Sequence, residues 1–331
     1  MSLTELEEFA LSIQERPFRA KQLFAWIYRK NVTSFGEMSD LSGALRLRLN
    51  DIAFIGSLTE RKMVRSTLSA TQKFLFQLYD KTHIESVHIT EGKRQTICLS
   101  SQVGCALGCT FCATGGMGFR RNLEVWEMMA QLLTIQRKLK VNITNVVIMG
   151  MGEPFLNYDN VIRACYLMSH PDGLAIGHRR IVISTSGIVP AIRRYADEKQ
   201  PFKLAISLNA PTDDQRNQIM PINKKYPLQE LLNVARYYVK KSRLRITFEY
   251  VLISDFNDRL QDAHRLRQLL RDFPCKINLI PYNVSSEKWC RPSEDRINRF
   301  IDTLRDMNAV VSIRWSKGSD IDAACGQFAA N

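Results

Sequence analysis

Beyond about residue 95, short apolar runs rich in β-branched residues alternate with longer stretches whose apolar positions recur at helical spacing. The short runs are QTICLS, TNVVIMG, RRIVIS, FKLAISL, RITFEYVLI, KINLIPYN and VVSIRW. Between them lie VWEMMAQLLTIQRKL, LQELLNVARYYVKK, DAHRLRQLLRDF and EDRINRFIDTLRDM. Such alternation predicts parallel β/α units, and six or so of them predict an α/β barrel, complete or partial. The first 75 residues read as mostly helical: in RAKQLFAWIYRK the residues Leu23, Phe24, Trp26 and Ile27 form the predicted buried side. The run Ser39-Asp40-Leu41-Ser42-Gly43 punctuates this part, and alternation in KFLFQLYD and HIESVHI predicts strands over roughly Ser69–Ile89. The expected division is a helical accessory domain over 1–75, a hairpin-like β extension over 76–95, and a barrel core over 96–331. GMGEP lacks the third glycine of a dinucleotide-binding turn.

At 331 residues and 45% hydrophobic, the chain can bury a large core. No apolar run of about 18 residues predicts a membrane span, and the acidic start MSLTELEEFALSI is unlike a signal peptide. A cytoplasmic, monomeric protein is expected. Eight cysteines, three of them clustered, suit metal or redox chemistry in a reducing compartment better than a disulfide scaffold. The net charge of +13 fits a polyanionic partner, most simply RNA or DNA. The basic residues are dispersed, which predicts a broad face, and Arg120 and Arg121 are candidate phosphate contacts. No zinc-finger, RRM or KH signature is present, so RNA would be bound by shape. Trp126 and Trp315 could stack on bases but are expected in the core.

The most informative local feature is Cys105, Cys109 and Cys112 in VGCALGCTFC. Three thiolates on one short loop are one ligand short of a closed zinc site or a fully protein-ligated iron–sulfur cluster. A [4Fe–4S] cluster so held keeps one iron open; Cys98 or Cys325 could instead complete a zinc site. Other polar residues follow predicted strands: Gly152, Glu153 and Pro154, then Ser184 to Gly187, Ser207, Asn209 and Asn283. In β/α barrels that rim carries the chemistry. Its small polar groups would suit a ligand bearing amine, carboxylate and ribose.

The cysteine triplet with GMGEP, ISTSG and SLNAP resembles radical S-adenosylmethionine (SAM) enzymes. CLSSQVGC, MPINKKYPL and GSDIDAACGQF narrow the resemblance to the dual-specificity RNA methyltransferases that methylate an adenine carbon. It runs from about residue 16 to 328 and implies a partial (β/α)6 radical SAM barrel. By it, Cys105, Cys109 and Cys112 ligate a [4Fe–4S] cluster. SAM fills the open iron position, touching Gly152, Glu153, Ser184, the Ser207-Leu208-Asn209 run and Asn283. Cys325 matches the methyl carrier, Cys98 the thiol that releases the product, and Glu85 the base that takes the ring proton.

The same resemblance implies two SAM per turnover and an electron donor such as a flavodoxin system. The housekeeping branch methylates adenine C2 in large-subunit (23S) rRNA and in some tRNAs; the resistance branch methylates C8 of the same rRNA adenine. QVGCALGC and PINKKYPL suit the first branch better. A radical SAM enzyme with a non-RNA substrate and a non-catalytic iron–sulfur RNA-binding protein are the readings from other classes. Cys165, Cys275 and Cys290 carry no motif and are expected to be buried small hydrophobes.

Overall fold

The computed structural model describes residues 1–285 and 287–330. Helices α1 (Leu3–Ser12), α2 (Phe18–Phe24) and α3 (Gly43–Ile52) make the N-terminal part. Ser2 starts α1 with a capping box, accepting from Glu5 N while the Glu5 carboxylate accepts from Ser2 N. After α2 the helix widens into a π segment over Ala25–Arg29. The extra residue in that turn rotates the apolar stripe, so Trp26 and Tyr28 are buried and Ile27 is only half-buried.

Strands β1 (Thr59–Arg65), β2 (Thr71–Gln77) and β3 (His83–Glu91) follow and pair antiparallel. The β extension thus begins inside the stretch expected to be helical. In β1, TERKMVR, no residue is buried, so the burial alternation that marks a strand in sequence is missing. The extension also continues the barrel sheet. β3 pairs antiparallel with β4 (Arg94–Cys98), and β4 opens a run of seven parallel strands. The other six are β7 (Asn145–Ile148), β8 (Ile181–Thr185), β9 (Lys203–Ser207), β10 (Ile246–Leu252), β11 (Cys275–Pro281) and β12 (Val310–Ile313). Each falls on a run predicted above. A small hairpin of β5 (Gln102–Gly104) and β6 (Phe119–Asn122) brackets the cysteine loop and the short helix α4 (Ala113–Gly116).

Helices α5 (Val125–Leu139), α6 (Tyr158–Ser169), α7 (Val189–Asp197), α9 (Leu228–Ser242), α10 (Leu260–Leu269) and α11 (Glu294–Leu304) connect the parallel strands, with short α8 (Asp213–Ile219) ahead of α9. Their apolar stripes, such as Leu231, Leu232, Ala235 and Tyr238 of α9, are buried. Six strand–helix units and a seventh strand form a partial barrel: among the described residues no pairing joins β12 to β1. No helix is long and apolar enough to cross a membrane, among the described residues.

Candidate active site

The loop after β4 carries Cys105, Cys109 and Cys112, which line one cavity with Gly152, Glu153, Ser184, Ser207, Asn209, Asn283 and Cys325. The cysteine loop is held by its own backbone. Cys105 N donates to Gly118 O at 2.8 Å, Cys112 N to Cys109 O at 3.2 Å, and Gly115 N to Cys112 O at 3.0 Å. A Cβ at Gly115 would sit 2.7 Å from Cys109 O, so that position admits glycine only. The C-terminal segment lies against this loop: Ala113 N donates to Gly326 O at 2.7 Å and the Thr114 hydroxyl to Phe328 O at 2.6 Å. Cys325 thereby enters the cysteine cavity from the far end of the chain.

Burial pushes the cysteine thiols up, Cys105 to about 11 and Cys109 well above its ordinary value; Cys109 is raised further by Cys112 and Cys105 beside it. Such thiols become ligands when a metal charge compensates them. Three thiols from one short loop, all lining one cavity, are the donor set that a [4Fe–4S] cluster with one open iron takes.

The same cavity fits SAM. Gly152 has φ +97°, and a Cβ there would lie 2.4 Å from Gln102 Cβ, so the GMGEP turn keeps its backbone against the cavity. Glu153 is buried; its carboxylate accepts from Ser186 N at 2.7 Å and Phe155 N at 3.0 Å. Burial still pushes its pKa up, and among the described residues it has no ion pair. A ligand ammonium would supply the missing charge. Asn283 Oδ1 and Glu249 Oε2, both on cavity-lining residues, are buried acceptors with no partner among the described residues. Buried acceptors left so are costly unless a ligand donates to them.

Three expected site residues stand differently. Leu208 is fully buried, off the cavity, with its N–H on Glu249 O and its carbonyl on the Arg216 guanidinium. Asn209 lines the cavity at φ +59°, but its oxygen accepts from Val251 N at 2.9 Å and its amide faces Met220 Sδ at 3.3 Å. Glu85 lies outside the cysteine cavity. It is buried, pairs with Lys73 at 3.1 Å, and accepts from Ala329 N at 3.1 Å. Lys73 in turn donates to Asp322 O at 3.3 Å, so the pair clasps both ends of the segment carrying Cys325.

Cys98, at the end of β4, is buried, and burial followed by the neighbouring Cys325 pushes its thiol up to about 12. Arg314 lowers it; this guanidinium lines the cavity beside Cys325 and Glu249. Neither Arg314 nor Glu249 was anticipated. The available signal was an acidic residue inside the apolar strand ITFEYVL, and an arginine at the end of VVSIRW. Arg121 is committed elsewhere than to phosphate: it binds Glu127 at 2.8 Å and Asp80 at 2.7 Å, while Arg120 stays exposed. Trp315 is 46% exposed, outside the core, with the Arg291 guanidinium over its ring. Cys165 and Cys275 are buried as expected; Cys290 is exposed.

A family model described as the radical SAM superfamily matches residues 99–266. A second, for a ribosomal RNA large subunit methyltransferase N-terminal domain, matches residues 1–55. The chain is 47% identical over 329 residues to a dual-specificity RNA methyltransferase RlmN of Geobacter sulfurreducens, covering 99% of this chain and 90% of that one. It is 45% identical to a probable dual-specificity RNA methyltransferase RlmN of Thermoanaerobacter pseudethanolicus, covering 99% and 96%. A radical SAM methyltransferase crystal structure from Sphaerobacter thermophilus superposes with a TM-score of 0.96 at 43% identity, covering 100% of this chain and 98% of that one.

Proposed function

The chain belongs to the dual-specificity RNA methyltransferase family of radical SAM enzymes, and on that premise we propose that it methylates C2 of an adenine in large-subunit rRNA, and also in tRNA. The observation that carries this is Cys325 in the cavity lined by Cys105, Cys109 and Cys112, whose wall also carries the unpartnered buried acceptors of Asn283 and Glu249. An adenine C2–H is neither acidic nor nucleophilic, so a methyl cation cannot be transferred to it directly. A carrier thiol beside a radical source answers that difficulty.

Cys105, Cys109 and Cys112 would hold the [4Fe–4S] cluster, which when bound would supply the electron, received from a donor such as a flavodoxin system, for reductive cleavage of SAM to a 5′-deoxyadenosyl radical. Gly152, Glu153, Ser184, Ser207 and Asn283 orient SAM, with Glu153 facing its ammonium; Asn209 braces that wall with its side chain on Val251, and Leu208 packs behind it. Cys325 accepts a methyl group from one SAM by displacement at carbon. A second SAM is then spent taking a hydrogen atom from the S-methyl group, and the methylene carbon adds to the ring carbon. The adduct radical gives up the ring proton and one electron, the electron returning to the one-electron donor chain; Glu85 is the family's base for that proton, and here its reach depends on release from Lys73. Cys98 attacks the Cys325 sulfur, forming a disulfide and freeing the methylated base. The disulfide is reduced before the next turnover.

The test uses anaerobically reconstituted protein with SAM, a reductant and protein-free rRNA from an unmodified strain. Nucleosides from the digested RNA are identified by mass spectrometry. 2-Methyladenosine is expected. 8-Methyladenosine as the sole product would overturn the C2 assignment, and SAM cleavage without RNA methylation would overturn the RNA assignment.

A further inference from the structure

Parallel strands all begin at one end of the barrel, and here that end is ringed with cations. Arg94 opens β4, Arg179 stands two residues before β8, Lys203 opens β9, Arg245 precedes β10 and Lys276 is the second residue of β11. All five are exposed and line one cavity of about 710 Å³. None forms an ion pair among the described residues. Of the acids in that cavity, Glu91 is taken by Lys317, and Glu249 lies at its inner end, where the cysteine cavity begins. Burial and then the charges of Lys276, Arg94 and Arg179 hold the Lys203 ammonium below its usual range. These cations therefore face one another. Like charges so placed repel, and a bound polyanion offsets the repulsion.

The cationic surface does not stop at the mouth. An adjoining groove shares Arg179, Pro201 and Leu244 with the cavity and adds Arg180, Lys199 and Lys241, also without ion pairs among the described residues. Inward, Met149, Glu249, Arg314 and Cys325 line both the mouth cavity and the cysteine cavity. From Arg94 to Cys98 is four strand steps, about 13 Å. A helix of RNA is too wide to enter such a funnel. A single nucleotide splayed out of its stack is the form in which unpaired RNA bases are read.

We propose that RNA is held by its phosphates on this barrel mouth, opposite the rim that carries the cysteine loop, with the groove of Arg180, Lys199 and Lys241 tracking the flanking backbone and the target base passing inward to Cys325. This rests on the methyltransferase reading above and adds the face and direction of entry. Contacts of this kind position the strand without reading its sequence.

The experiment compares R179Q/K203Q with R271Q/R299Q, an equal charge loss at exposed positions on the outer side of the barrel. Binding of a labelled rRNA fragment is titrated across salt concentrations, and methylation of Cys325 by SAM without RNA is measured in each variant as proof of an intact site. The mouth variant is expected to methylate Cys325 normally, bind RNA more weakly, and lose about one unit of salt slope per missing phosphate contact, hence about two. The outer variant is expected to keep the wild-type slope. Equal slopes for the two variants overturn the proposed entry face. Absence of RNA binding by the wild-type protein, with Cys325 still methylated, overturns the RNA reading itself and the proposal with it.

Discussion

The side-chain amide of Asn283 donates to the carbonyl oxygen of Cys325 at 3.0 Å, while its own oxygen is buried without a partner among the described residues. One side chain thus holds the segment of Cys325 and keeps an unpartnered acceptor on the cavity wall, where SAM is proposed to bind. Asn283→Ala removes a net hydrogen bond of about 1 kcal/mol on each side. SAM affinity of the reconstituted enzyme should fall about five- to tenfold, and Cys325 methylation should slow further than the weaker binding explains. Unchanged SAM affinity would remove Asn283 from the cofactor site.

Lys73 and Glu85 clasp the C-terminal segment at Asp322 and Ala329. Burial pushes the Glu85 carboxyl up and Lys73 opposes this. Lys73→Ala leaves that carboxylate unpaired, and protonation relieves only part of the penalty. A stability loss of about 2 kcal/mol is expected by urea unfolding, with faster amide exchange over residues 318–329. Glu85→Gln keeps the acceptor for Ala329 and discards the base. If Glu85 serves only as the clasp, the variant retains RNA methylation; if it takes the ring proton, RNA stays linked to Cys325.

Arg121 spans Asp80 and the fully buried Glu127, so its removal strands a charge inside the fold. Arg121→Ala should cost about 3 kcal/mol in denaturant unfolding. RNA affinity measured below the unfolding range should hardly change, which is the opposite of what a phosphate contact would give.

The Cys98 thiol, pushed up to about 12 by burial, is almost wholly protonated at neutral pH. If its thiolate releases the product, release speeds up about tenfold per pH unit between pH 7 and 9, since a raised thiol pKa keeps the reactive fraction far below one there. Single-turnover release followed against pH tests this. Cys98→Ala should accumulate RNA linked to protein, visible as a slowly migrating species on denaturing gels.

The barrel was legible in the sequence because inner strands such as β7, β9 and β11 are largely buried and read as apolar runs such as TNVVIMG and KINLIPYN. The extension was legible only where side chains are buried, alternately in β2 and as a continuous run in β3; β1 has no buried residue and reads as polar coil. The cluster loop and Cys325 were legible through their motifs. Their meeting in one cavity was not, because it depends on backbone bonds between Ala113 and Gly326, more than 200 residues apart in the chain. Arg121 looked like any exposed basic residue, since neither partner is near it in pattern. Leu208 sat in a matching motif, but just past the end of β9 its side chain is buried in the core. The cations of the barrel mouth were visible one by one in the strand-leading positions, yet only the shared strand direction gathers them at one end.

The account turns on Cys325 as the carrier of the transferred carbon. The most direct test supplies SAM with a fully deuterated methyl group, a reductant and unmodified rRNA, then weighs both products. Passage through the Cys325 S-methyl group moves one deuterium to 5′-deoxyadenosine and leaves the remaining two on the methylated adenine. A methyladenine that keeps its full deuterium complement, with none in 5′-deoxyadenosine, would contradict the account.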